Sequence, residues 1–219
     1  GKSPHSIAEA PYEDPSWQIW TVGSAAAHLP KWDAAFEIHD LNDGLARWEE
    51  GYGQWLSHEH EKPIYVQRLD ERVPSGKVFP RDEVTALCGS YHTSSISWMI
   101  GLALHYGASA IGLWGVDMAM TEQQGDAEYE HQRPSCEYLL GFARGRGVDV
   151  FVHPYSSLLK GSLYGFDLQA CERFRLLQQR KSDLRQRIAK GNKMVREATE
   201  AVHRLTGSLE QLQLLEQWS

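Results

Sequence analysis

The sequence lacks any apolar run approaching the ~18 residues that a membrane-spanning helix needs. It also lacks the basic-then-apolar pattern of a secretory leader. Cysteine is scarce: Cys88, Cys136 and Cys171 are odd in number and form no CxxC pair. That excludes a disulfide framework and a thiolate-rich metal site, and the three read as reduced thiols in a cytoplasmic compartment. Positive charge is in short supply, with a formal net charge of -7. The deficit is local. From Asp167 onward there are 10 Lys and Arg against 7 Asp and Glu, and before it 12 against 22. An acidic main body argues against a general nucleic-acid-binding surface, while the mildly basic tail reads as a solvated helix face in preference to a contact for an acidic partner.

What is present is a globular composition, 42% hydrophobic and 23% charged over 219 residues, enough for one α/β domain with an appendage. The opening "GKSPHSIAEAP" is rich in Gly, Ser and Pro, the kind of turn that follows a strand; a strand ahead of Gly1 is expected. "WQIWTVG" predicts a strand ending at Gly23, with a short helix over Ala25 to Leu29. "AAFEIHD" and "KPIYVQRLD" predict two further strands. Between them "DGLARWEEGYGQWLSHEH" has helical period through Leu45, Trp48, Tyr52 and Trp55. "PSGKVFPRDEV" reads as a loop leading into irregular chain. "HTSSISWMIGLALHYG" predicts a helix with capping hydroxyls at Thr93 to Ser95 and a stop at Gly107.

"SAIGLWGVD" follows as a strand apolar on both faces, expected central and parallel. "PSCEYLLGFARGRG" predicts a helix capped by Ser135 and ended by Gly147, and "VDVFVHPYSS" a last strand. The alternation predicts a doubly wound parallel sheet flanked by helices over residues 1–162.

Residues 163–219 change texture. Leu177, Leu184, Ile188, Gly191, Val195, Ala198, Val202, Leu205, Leu209 and Leu212 fall on alternating steps of four and three, with Lys181 filling the gap. That is a heptad seam of about five heptads. "SLEQ", after Thr206-Gly207, resembles a capping box. The segment therefore reads either as one long coiled-coil helix, joining copies of the chain through residues 174–212, or as a helical hairpin.

Several positions carry chemistry. Ligands of open parallel sheets bind beyond the carboxyl ends of the strands. Gly115 there permits close backbone approach, and the Asp117 carboxylate suits ribose hydroxyls; capping of the next turn is the plainer role for Asp117. Ser94 and Ser95 open a helix whose dipole favours an anion. His131 stands near a helix start, where a neutral imidazole can act as a base near pH 7 or simply face solvent. "GKS" resembles the end of a phosphate-binding loop, but the upstream glycine is absent and Pro4 follows, so it reads as coincidence. "HEH" at 58–60 reads as a polar helix end and not as a metal site. The eight tryptophans read mostly as core.

The order of Thr93-Ser94-Ser95, Gly115-Val116-Asp117, His131 and Pro154-Tyr155-Ser156-Ser157-Leu158 resembles bacterial sialyltransferases that use CMP-sialic acid. The resemblance covers roughly residues 91–160 and extends to Gly1-Lys2-Ser3-Pro4, which stands where that family has Gly-Asn-Gly-Pro. The chain is also similar to Rossmann-like proteins encoded by bacteriophages. The resemblance implies a Rossmann-like domain, ahead of the C-terminal helix read from the heptad seam. It implies a nucleotide or nucleotide-sugar donor, such as a CMP-sugar, held by Lys2, Ser3, Gly23, Ser94, Ser95, Gly115, Asp117, Ser156 and Ser157, and no resident cofactor or metal. His131 would be the general base. The family's tyrosine two residues after the aspartate is Ala119 here, with Tyr129 as the replacement phenol, and the asparagine of its first turn is Lys2. The alternative is a non-catalytic nucleotide-binding or phage assembly module that oligomerises through the coiled coil.

Overall fold

A computed structural model of the chain describes residues 4–44, 51–118, 126–161, 163–166 and 168–216. The chain divides into two compact units, Gly1–Lys160 and Gly161–Ser219. The first opens with α1 (Pro4–Ile7), β1 (Trp20–Val22), α2 (Gly23–Ala26), β2 (Ala34–Glu37), α3 (Leu41–Gly44), α4 (Tyr52–Ser57) and β3 (Ile64–Val66). It continues with β4 (Gly76–Val78), α5 (Arg81–Cys88), α6 (Ser95–His105), β5 (Ala110–Leu113), α7 (Asp126–Gly145) and β6 (Asp149–Val152).

All described strand pairs are parallel. Four strands form a sheet in the order β1-β2-β3-β4, with Phe36 opposite Tyr65, and β5 pairs with β6, with Ile111 opposite Val150. The parallel α/β alternation expected from the sequence is there. The single sheet with β5 at its centre is not: among the described residues β5 has β6 as its one neighbour. The two ladders share a core instead. Phe36 and Tyr65 from the first, Ile111 and Leu113 from the second, and Ile100, Leu102, Leu139 and Leu140 from α6 and α7 form one buried cluster. Each such side chain contributes ~1.5–3 kcal/mol on full burial.

Three expectations need correction. Residues 74–84 are not irregular: they contain β4 and the start of α5. β4 is three residues long with Lys77 and Val78 exposed, too short to show a period of two, and α5 buries only Val84 and Cys88, one turn apart. The helix read from Pro134 begins earlier. α7 starts at Asp126 and carries Pro134 inside it, so Ser135 is a fully buried helical residue and not a cap. The helix read through residues 43–60 does not run continuously, because Gly51 takes a left-handed φ of 84° and caps α4; Leu45 and Trp48 lie outside the described residues.

The second unit holds α8 (Leu168–Glu216), one continuous helix of 49 residues. The hairpin is not formed. Thr206 and Ser208 donate their hydroxyls to the carbonyls of Val202 and Arg204, one turn back, which satisfies both side chains without breaking the helix. Among the described residues no helix is long and apolar enough to cross a membrane.

Candidate functional site

β5 and β6 are parallel, so their carboxyl ends lie at one edge. The β5 end turns sharply. Gly115 has φ 68°, a conformation that favours glycine, and its N–H donates to the buried Ser6 hydroxyl at 2.7 Å. Asp117 follows, half-buried. Its backbone carbonyl accepts from the Ser157 N–H at 2.9 Å, and its carboxylate faces the Ser157 hydroxyl at 3.4 Å. The Ser156 hydroxyl lies 3.5 Å from the same carbonyl. Asp117, Ser156 and Ser157 are therefore brought together.

Two residues give this edge its character. Met118 (φ 48°) and Leu159 (φ 55°) are the non-glycine residues with left-handed backbone among those described. They stand next to Asp117 and two residues beyond Ser157. Such conformations cost of order 1–3 kcal/mol and concentrate at functional sites. The Leu159 N–H is anchored on the Glu137 carboxylate at 2.9 Å, which also accepts from Arg133 at 2.9 Å, so α7 holds the strained turn in place.

Ser94 is the N-cap of α6. Its hydroxyl accepts from the Ser97 N–H at 3.1 Å, and the Ser97 hydroxyl reciprocates, completing a capping box. Ser95 is the first helical residue. The Ser94 hydroxyl also lies 3.4 Å from the Cys136 thiol of α7. Burial pushes that thiol up to about 11, against the opposing pull of Ser94 and Ser135, so it stays protonated and is no nucleophile. Thr93 donates to the His131 carbonyl at 2.7 Å and meets the Ser135 hydroxyl at 2.7 Å. These contacts join the start of α6 to α7 beside the Asp117 edge.

His131 is exposed, but it lies inside α7 rather than ahead of a helix. Tyr129 lies on the same helix, 39% exposed. Residues two apart on a helix do not share a face, so the structure does not bring the Tyr129 and His131 side chains to one point. Gly23 belongs to a different cluster, and Lys2, Ser3 and Ala119 fall outside the described residues.

That other cluster escaped sequence reasoning. Glu37 ends β2 with its side chain buried, and its carboxylate accepts from the Tyr52 hydroxyl at 2.6 Å and contacts His39 Nδ1 at 2.6 Å. A Cβ on Gly23 would lie 1.6 Å from the Tyr52 oxygen, so the phenol requires glycine there. Burial raises the Glu37 carboxyl, and the hydrogen bonds from His39 and Tyr52 outweigh it, leaving a net lowering. An isolated glutamate at the end of "AAFE" carries no mark of this, because Tyr52 is distant in sequence. His153, directly after β6 and next in line to His131 as a base, is buried, with Nε2 2.9 Å from the Glu9 carboxylate and Nδ1 accepting from the Tyr155 N–H. Both ring nitrogens are thus engaged.

His58 and His60 bond to the carbonyls of Gln54 and Trp55 at the end of α4. Among the described residues no group of three or more His, Cys, Asp or Glu is placed to hold a metal ion. Compared with protein-family models, with curated proteins and with solved structures, the chain matches none.

Proposed function

We propose that the carboxyl edge of β5 and β6 binds a nucleotide, and that the chain transfers a sugar from a nucleotide donor such as a CMP-sugar. The observation that carries this reading is the pair of strained turns at Met118 and Leu159 around the Asp117–Ser157 contact. Asp117 accepts from the ribose hydroxyls, Ser156 and Ser157 line the ligand, and the α6 amino end at Ser94 and Ser95 faces the phosphate. In the transfer, His131 takes the proton from the acceptor hydroxyl, the acceptor oxygen forms a bond to the anomeric carbon, and the bond to the phosphate oxygen breaks with inversion. Ala119 and Lys2 replace a tyrosine and an asparagine of the sialyltransferase pattern, so binding and transfer are tested separately.

Calorimetric titration with CMP, UMP and GDP tests the binding. Asp117→Asn is expected to weaken the preferred nucleotide about tenfold or more, since a hydrogen bond to a charged group is worth ~1.5–3 kcal/mol, while unfolding is unchanged. Equal affinity in both proteins, or no binding by either, overturns the reading. His131→Ala is expected to abolish transfer and keep the affinity.

The stripe on α8 favours a second reading, a module that assembles through a homo-oligomeric coiled coil. Ile188, Val195, Val202, Leu205, Leu209 and Leu212 are each at least 56% exposed, and six such side chains strongly disfavour a solvated single helix. A dimer is the commonest outcome for such a seam. Light scattering from the full chain decides it: a monomer at micromolar concentration rejects assembly.

A further inference from the structure

The β1 edge and the β5 edge face a single cavity of about 880 Å³ in the first unit. It is lined by Met99 and Ala103 of α6 and by Ile7 and Trp17. α6 packs on β1 and β2, and its core residues are continuous with Ile111 and Leu113 of β5, so one helix spans both ladders and lines the cavity.

The two inner edges differ from the two outer ones. An exposed strand edge is normally guarded by charge or proline, because its unpaired N–H and C=O groups invite pairing. The outer edge strands follow that rule: β4 carries exposed Lys77, and β6 carries exposed Asp149. The inner ones do not. β1 is Trp-Thr-Val and β5 is Ala-Ile-Gly-Leu, with Thr21, Ile111 and Leu113 buried. Among the described residues neither inner edge is paired. Sheltered, uncharged edges with free ladder groups are built to be paired, since unpaired buried backbone is costly.

The size fits a strand. In a packed sheet a residue occupies about 3.3 Å along the strand, about 4.8 Å across the ladder and about 10 Å through the layer, or roughly 160 Å³. The cavity then holds about five residues, close to the four paired positions of the β5–β6 ladder. The direction follows from Ser6. Its hydroxyl accepts from Gly115 at the carboxyl end of β5, which puts α1 at that end of the cavity. A strand parallel to β5 finishes there.

We propose that this cavity is the seat of an apolar β-strand of about five residues that runs parallel to β1 and β5, leads into Gly1, and joins the two ladders into one seven-stranded parallel sheet. Its peptide groups pair with both inner edges, and its side chains pack against Met99 and Ala103 of α6 and against Ile7 and Trp17.

Hydrogen–deuterium exchange of the full chain tests this. One form carries Val-Ile-Val-Ile-Val ahead of Gly1, a second carries Ser-Asp-Ser-Asp-Ser there, and the third is unextended. Cavity-facing amides over 20–22 and 110–113 are expected to slow at least tenfold in the first form alone, independently of protein concentration. Should the apolar extension impair folding, the same pentapeptide with a Gly-Lys-Lys tail, titrated into the unextended chain, is expected to slow both edges saturably. Three results overturn the proposal: no protection from extension or peptide, edges in the unextended chain already as slow as β2, or protection that rises with protein concentration, which would assign the edges to a second copy.

Discussion

Helices α7 and α8 carry the same kind of stripe. In α7, Cys136, Leu139, Leu140 and Ala143 recur at helical spacing and are all fully buried, against α6 and the strands. In α8, Leu184, Ile188, Val195, Val202 and Leu205 recur just as regularly and are 42–72% exposed. Periodicity makes a helix amphipathic; it does not supply what covers the apolar side. α7 is covered by elements of its own unit. α8 has the longer, more regular seam, and that regularity is what a second helix would read.

Four variants sharpen or break this contrast. The largest effect belongs to Leu139→Ala, which leaves a cavity under α7 and is expected to cost ~2–5 kcal/mol in urea unfolding of the first unit. A cost below ~1 kcal/mol would mean that α7 is no better packed than α8. Next comes Glu37→Gln, expected to cost ~1–3 kcal/mol because it disrupts the bonds with Tyr52 and His39 within a buried group.

The same variant has a pH signature. The folded Glu37 carboxyl titrates below its ordinary 4.5, so its stabilisation is present above that pH and is lost as pH falls through the lowered value. Melting temperatures followed from pH 7 downward should fall less steeply in Glu37→Gln below about pH 4.5; identical slopes would remove Glu37 from the acid response. Ser94→Ala is smaller, ~1 kcal/mol for a lost N-cap, read in the same unfolding assay, and no change would show that the capping box is redundant.

The smallest effect is Leu205→Ala. On an uncovered helix it should stay within ~0.5 kcal/mol. A larger loss that grows with protein concentration would show the α8 stripe covered by another chain, and the two helices would then differ only in whose residues do the covering.

The candidate site was half legible. Gly115 and Asp117 stand out in "GLWGVD" because a buried strand that stops at glycine and then places a carboxylate is a local pattern, and the Ser94 cap was readable for the same reason. The strain at Met118 and Leu159 was not, since nothing about methionine or leucine announces a left-handed backbone; tertiary contacts such as Glu137 to Leu159 impose it. His131 was misplaced relative to its helix because Pro134 looked like a start, whereas α7 absorbs it.

By itself the sequence determined what depends on neighbours within a few residues: the period of α6, α7 and α8, the stops at Gly107 and Gly147, and the apolar runs of β2, β3 and β5. Backbone hydrogen bonds and side-chain spacing act over that range. Only the tertiary structure decided which strands pair, that the two ladders meet over α6 with a strand-sized cavity between them, and that Ser6 reaches Gly115 while Tyr52 reaches Glu37. Those contacts close long loops, and which closure wins is set by the burial of the whole core rather than by any segment that takes part in it.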